Sequence, residues 1–338
     1  FSAPVRLQYS YSRDQLLFLM SNETDGFNRW DAGQKLALDI IQSLAEDYRA
    51  DKPLIVDTRL IEAYRGLLVS GSIDKALLSK MLLLPSESYL IELADVADVD
   101  AIHHARNYVR NTLAKALKVE LLHCYHSNAD DGDDYSADFR SIAKRALRNT
   151  ALSLLLSNGD NDALKLAIKQ FSAAPNMTDE SASLIALVNS DFVTERDAAL
   201  TQFYQKWKAD PQVVEQWLAI QCGSSKAGTL EHIEQLMKHE AFDIKNPNKV
   251  RSVVGVFCNQ SLINFHNVSG SGYRFLSKRV IELNKLNPQI ASRLVTPLTR
   301  WRKYDKTRQG LMQAELQRIL KEEDLSKDVY EVVSKSIK

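Results

Sequence analysis

Seven histidines, three cysteines and 43 carboxylates are the groups with which this chain could bind a metal or move a proton. Metallohydrolase chemistry wants HExxH on one helix, so that two imidazoles a turn apart reach one zinc ion and the glutamate takes a proton from its bound water. His239 and Glu240 begin such a string, but Ala241, Phe242 and Asp243 follow, and the second imidazole is missing. Glu120, His123 and His126 recur every three residues beside Cys124. They share a helical face, yet the spacing matches no established zinc set. Polar-face or partly buried residues is the plainer reading, with a metal site as the alternative, and the adjacent His103 and His104 add little to it. No GxSxG elbow occurs, and Ser269-Gly270-Ser271-Gly272 lacks the lysine and the length of a phosphate loop. That turn reads instead as the start of a helix at Tyr273. No complete active site is spelled out.

The elements that would carry these residues are helices. Twelve glycines and eight prolines in 338 residues are about half of average usage, so turns are scarce and long regular elements dominate. Leu200, Phe203, Tyr204 and Trp207 form one apolar stripe at i, i+3, i+4 and i+7, with Thr194 as the expected N-cap and Asp197 at the capping-box position. Similar stripes are Ile102, Val109, Leu113, Leu117 and Leu121; Ile142, Ala146, Thr150 and Leu154; and Val329, Val332, Val333 and Ile337 after Ser326 as cap. Pro53, Gly71, Pro85, the acidic loop 130–134, Gly159, Pro175, Pro211, Gly223, Pro247, Gly270 with Gly272, Pro288 and the stretch 321–324 break the pattern. About fifteen helices joined by short turns would result, stacked in sequence as an α-solenoid in which each pair buries its face on the next. No strict repeat motif is visible, so the repeat is structural. Only the first residues differ: Val5, Leu7, Tyr9 and Tyr11 alternate with polar residues, the period of a half-buried strand. No other segment offers that strand a sheet to join.

Charge and cysteines bound the setting. Lys and Arg balance Asp and Glu at 43 each, which provides no field for nucleic acid or anionic lipid. Three cysteines at long spacing, Cys124, Cys222 and Cys258, suit a reducing compartment better than a disulfide framework. With no leader and no apolar run near the ~18 residues of a membrane span, a cytoplasmic location is expected, and the sequons at Asn22, Asn176, Asn259 and Asn267 are read as chance. The chain opens on Phe1 without a methionine, as a fragment of a longer protein would.

Several strings together are specific. Asp25-Gly-Phe-Asn-Arg-Trp-Asp-Ala-Gly-Gln34, Lys144-Arg-Ala-Leu-Arg-Asn149, Asn176-Met-Thr-Asp179, and Trp207 with Trp217 come first. Asn246-Pro-Asn-Lys-Val-Arg-Ser252, Phe265-His266, Gly270-Ser-Gly-Tyr273 and Asn287-Pro-Gln-Ile-Ala-Ser-Arg293 follow. Tyr304-Asp305, Arg308-Gln309, Leu325-Ser326 and Asp328-Val-Tyr-Glu331 complete the set. In this order the chain resembles, over nearly its whole length, the C-terminal helical domain of bacterial M1-family zinc aminopeptidases of the aminopeptidase N type.

The resemblance implies an all-α fold: a superhelical α-solenoid of stacked antiparallel helix pairs (HEAT/armadillo-like), with a short β-strand at the N-terminus. Residues 1–24 would be a junction from a preceding β-sandwich domain, and 25–338 a single superhelical domain. It also implies that the domain caps a zinc-bearing catalytic domain, controls peptide access and lines an internal chamber. Its partners would be the N-terminal catalytic and β-sandwich domains of the same chain and peptide substrates, with no nucleic acid and no membrane. The zinc ligands, the general base and the N-terminus-binding glutamates of such enzymes have no counterparts here, so no catalytic or metal residue and no cofactor is expected in this chain, and zinc belongs to the parent enzyme.

By the same resemblance Arg251, Gln289 and Arg293 face the catalytic cleft. A guanidinium there would bind the carbonyls and far carboxylate of a peptide held by its amino terminus. The alternative is that both arginines serve as intradomain ion pairs or helix C-terminal caps. Asn246 and Asn248 read as turn and N-cap residues around Pro247. Arg29 and Trp30 read as anchors of the first helix, and Tyr273 either lines the chamber or packs beneath it. The competing function is an independent α-solenoid that binds a protein partner; a stand-alone enzyme with a His/Cys metal site is a third.

Overall fold

The computed structural model describes residues 9–129 and 135–338. The acidic loop at 130–134 and most of the alternating segment 5–11 lie outside the described residues, and residues 9–12 carry no regular structure. Twenty-one α-helices follow among the described residues. In chain order they are α1 (Arg13–Asn22), α2 (Gly26–Arg49), α3 (Thr58–Val69), α4 (Lys75–Met81), α5 (Glu87–Leu93), α6 (Val99–Ala116), α7 (Lys118–Ser127) and α8 (Phe139–Leu156). Next come α9 (Asn161–Ala173), α10 (Met177–Val188), α11 (Val193–Trp207), α12 (Pro211–Cys222), α13 (Thr229–Leu236), α14 (Pro247–Val250), α15 (Val256–Gln260) and α16 (Leu262–Phe265). The last are α17 (Ser271–Leu286), α18 (Pro288–Leu294), α19 (Thr296–Thr299), α20 (Lys306–Leu320) and α21 (Lys327–Ile337). A π-turn occupies Arg251–Gly255 and a 3-10 turn Trp301–Lys303.

Helix starts are written in the sequence. Ser12, Asp25, Asp57, Asp138, Asp305 and Ser326 each accept a hydrogen bond from the first helical turn through a side-chain oxygen, which satisfies N–H groups that have no partner inside the helix. Pro211, Pro247 and Pro288 take the first helical position, where a missing N–H costs nothing.

Three local expectations shift. α11 begins at Val193 with Phe192 at the cap position and no capping side chain, so Thr194 lies inside the first turn rather than before it. In α8 the buried face is Ala143, Leu147, Ala151 and Leu154, whereas Ile142 is 49% exposed. The long stripe from Ile102 to Leu121 spans two helices, because the backbone turns out of the helix at Leu117 (φ −109°, ψ 19°).

The chain divides into two compact units. The first comprises Phe1–Pro85 and Ala105–Asn158. Within it α1 lies against α2 and α3, α2 against α4, α3 against α7, and α4 and α7 against α8. Met20, Leu36, Ile41, Leu60, Tyr64 and Leu67 make its core. Arg29 anchors α1, donating from Nε to Met20 O (2.8 Å) and from Nη2 to Ser21 O (3.1 Å) at the end of that helix.

The second unit comprises Ser86–His104 and Gly159–Lys338. Its helices pack on their sequence neighbours, α9 on α10, α10 on α11, α11 on α12 and α12 on α13, and later α17 on α18 and α20, and α20 on α21. This nearest-neighbour stacking is the α-solenoid arrangement. A contact of much longer range joins Ala97 to Tyr304 in an isolated parallel bridge, the Ala97 N–H donating to Lys303 O (2.8 Å). No sheet is present among the described residues.

Candidate functional site

Arg251, Gln289 and Arg293 sit on two short stretches of the second unit that begin alike. Asn246 caps α14, its side chain accepting from Asn248 N (2.9 Å) and Lys249 N (3.4 Å), with Pro247 next. Asn287 caps α18, accepting from Ile290 N (3.1 Å), with Pro288 next. Asn248 is not a cap; it lies within α14, and its carbonyl oxygen accepts from Arg251 Nη1 (2.7 Å). Arg251 opens the π-turn, in which Val256 N–H donates five residues back to Arg251 O. Such turns are rare and often mark functional positions.

The two stretches come together at Gly255. A Cβ there would lie 3.8 Å from Arg251 Cβ and 3.9 Å from Leu294 Cδ2. All three polar side chains are exposed, and neither arginine makes an ion pair among the described residues. Arg293 stands in the last turn of α18, where the helix dipole also favours a cation. The arrangement presents two guanidinium groups and an amide, donors suited to carbonyls and carboxylates.

Beneath the surface, four of the specific strings converge. Arg308 is 4% exposed and donates to His266 O (2.7 Å), Asp305 Oδ2 (2.8 Å) and Asp100 Oδ2 (2.5 Å). Two carboxylates and a carbonyl satisfy its fork, as a buried guanidinium requires. His266 Nδ1 bonds the Tyr273 hydroxyl (2.9 Å), and its ring stacks on Tyr304 at 4.2 Å. Burial, with the Arg308 charge beside it, pushes the His266 imidazole down to about 3. Tyr273 is fully buried, which decides its place: it packs beneath the surface. Gln309 Nε2 donates to Tyr304 O (2.8 Å).

The metal candidates fall elsewhere and apart. Glu120 pairs with Arg65, His123 and His126 are exposed, and Cys124 is buried, its thiol raised to about 11 by burial. His103 bonds Glu87 (2.8 Å). His239 lies edge-on to Tyr204 at 4.8 Å, and Glu240 accepts from the Tyr204 hydroxyl (2.9 Å). Among the described residues no three His, Cys, Asp or Glu gather where one ion could be held. Cys222 and Cys258 are also buried and free, their thiols raised by burial.

Among the surface clefts of the second unit, two bear on function and were not foreseen. One of about 550 Å3 is lined by mixed charges, among them Glu234, Lys238, Asp243, Lys278, Arg279 and Glu282. The other, of about 330 Å3, lies between α11, α12 and the start of α13. Sequence offered no signal for either, nor for the π-turn: a cleft arises where helices diverge, and the four- and five-residue helices flanking the π-turn are too short for its register shift to show in an apolar stripe.

Comparison with known proteins adds the following. A family model described as "Domain of unknown function (DUF3458_C) ARM repeats" matches residues 13–338. Aminopeptidase N of Escherichia coli (strain K12) is 39% identical over 337 residues, which cover 100% of this chain and 38% of that protein. Aminopeptidase N of Haemophilus influenzae is 38% identical over 339 residues, with 100% and 38% covered, and that of Caulobacter vibrioides is 35% identical with the same coverage. The crystal structure of Legionella pneumophila aminopeptidase A in complex with aspartic acid matches with a TM-score of 0.89 at 31% identity, covering 99% of this chain and 40% of that one. The chain thus spans 38% of the length of the curated relatives it matches.

Proposed function

Since this chain belongs to the DUF3458_C ARM-repeat domain family, we propose that it is the C-terminal domain of an M1-type zinc aminopeptidase, an enzyme that removes N-terminal residues from peptides. In this reading the domain caps the catalytic domain, controls peptide access and lines the chamber. The observation that carries it is the end-to-end match of the chain to 38% of aminopeptidase N.

Zinc, if the parent carries it, is held by residues outside this chain. Glu120 is engaged by Arg65, which also pairs with Glu62, and among the described residues no three His, Cys, Asp or Glu gather to hold an ion. No chemical step is therefore assigned to this domain. Its contribution is binding: Arg251 and Arg293, exposed and without ion-pair partners among the described residues, offer N–H donors to the carbonyls and far carboxylate of a bound peptide, and Gln289 adds an amide. The Asn248 bond and the π-turn fix the direction in which Arg251 leaves its helix. The reading takes residues 25–338 as one helical domain after a junction at 1–24, although α1 within that junction lies against α2 and α3. The buried free thiols fit a reducing cytoplasm, and no helix among the described residues is long and apolar enough to cross a membrane.

An aminopeptidase assay with added zinc, run on the 338-residue chain alone and beside the longer protein, tests the reading. Turnover by the longer protein only is expected. Turnover by the purified chain would sink it.

A further inference from the structure

The cleft of about 330 Å3 in the second unit differs from that of about 550 Å3 in the charges on its wall. Arg196, Lys226 and His232 line it together with Val188, Val193 and Leu200, and no carboxylate takes part in the lining. The acids that balance these cations lie outside the cleft. Asp197 takes Arg196 Nε (2.8 Å) and Asp191 takes Lys226 Nζ (2.6 Å). Arg196 thus keeps both terminal nitrogens without a partner among the described residues, and Lys226 keeps further N–H donors.

The cleft is built before any ligand arrives. Ser224 O accepts from Ser261 Oγ and from Asn264 Nδ2 (3.3 Å), and Lys226 O accepts from Asn264 Nδ2 (3.1 Å) and Thr229 Oγ1 (2.7 Å). The connection from α12 to α13 is therefore pinned from below. Gln221 Nε2 donates to Trp217 O (2.9 Å), so its oxygen accepts and His232 Nε2 supplies the proton at 2.9 Å. That bond fixes the imidazole in the wall. Gly228 caps α13 with no side chain to accept from the first-turn N–H groups, which adds positive potential to that of the two cations.

We propose that this cleft binds a compact carboxylate carrying a short apolar tail. The head meets the Arg196 fork and the Lys226 ammonium; the tail lies on Val188, Val193 and Leu200. An inorganic oxyanion would leave that apolar wall uncovered, and a long ligand would exceed about 330 Å3. The site does not depend on the peptidase reading.

Isothermal titration calorimetry of the intact natural protein with isovalerate, inorganic phosphate and isobutylamine tests it. Saturable isovalerate binding is expected, with phosphate weaker by about fivefold and isobutylamine silent. Removing both cations in Arg196→Gln/Lys226→Gln should weaken isovalerate by about tenfold or more, since charge-assisted bonds are lost. Val193→Glu, at a position 53% exposed, places a carboxylate at the wall and should act alike; circular dichroism and Tm verify that each variant is folded. No isovalerate binding at millimolar concentration, equal or tighter binding of phosphate, or isovalerate affinity unchanged in both variants would each overturn the proposal.

Discussion

Arg251 and Arg293 illustrate how far a single residue can be read. Their type points to carbonyl and carboxylate binding, but their exposure and lack of an ion pair among the described residues are properties of the fold. If the domain lines a peptide chamber as proposed, Arg251→Ala or Arg293→Ala in the longer protein should raise KM for peptides while shifting Tm little, because an exposed arginine without a carboxylate partner contributes little to stability. An unchanged KM with a large fall in Tm would assign them a structural role instead. Gly272 is the opposite case. A Cβ at that position would lie 2.2 Å from Phe265 O, and backbone cannot yield as a flexible side chain can. Gly272→Ala should therefore destabilise by about 3 kcal/mol or more, measured by urea unfolding. The sequence marked this glycine as part of a turn; the contact that makes it necessary is with a residue seven positions earlier, brought near by the fold.

At the scale of the element, legibility follows the capping chemistry. Asn246 precedes Pro247 and caps its helix as read; Asn287 before Pro288 caps α18 in the same way, and Asn176 caps α10, accepting from Asp179 N (2.9 Å) while donating to the Asp179 carboxylate (3.1 Å). Asn287→Ala should cost about 1 kcal/mol of stability, seen as a lowered urea midpoint at unchanged m-value. It should also displace Gln289 and Arg293, so KM in the longer enzyme is expected to rise with it. α11 was misread for a specific reason. Ser190 Oγ accepts from Phe192 N (3.3 Å), and Arg196 N already donates to Phe192 O, so the chain enters the helix before Thr194 can cap it. The α8 stripe slipped by one residue because a helix apolar on more than one side has no single periodic answer; which side is buried depends on α4 and α7, which lie against it.

At the scale of the molecule, the decisive contacts join segments about two hundred residues apart within the second unit. Arg308 reaches Asp100, Lys303 Nζ donates to Glu92 O (2.8 Å) and Ala94 O, and Ala97 pairs with Tyr304. Arg308→Ala should free this edge, and the Ala97 amide, bonded to Lys303 O, should exchange its hydrogen faster while amides of α10 keep their protection. His266, enclosed by Arg308, Asp305, Tyr273 and Tyr304, couples the same network to pH. The folded ring stays neutral down to about 3, whereas an ordinary imidazole takes its proton near 6.5. Between those values the unfolded chain binds the extra proton, so this group's contribution is lost as pH falls from 6.5 towards 3, by at most about 1.4 kcal/mol per unit. His266→Asn should lower Tm at neutral pH and flatten its decline across that window.

The sequence by itself determined the helical class, most helix starts and the family resemblance, because caps, prolines and apolar spacing act within one or two turns of the chain. Only the tertiary structure decided that Phe265-His266, Gly270 to Tyr273, Tyr304-Asp305 and Arg308 form one buried network, that Gly255 of the π-turn lies against Leu294 of α18, and that Arg196 and Lys226 share a cleft. Those relations depend on which helix faces pack, and burial energy rewards a face without recording in the local sequence what will cover it.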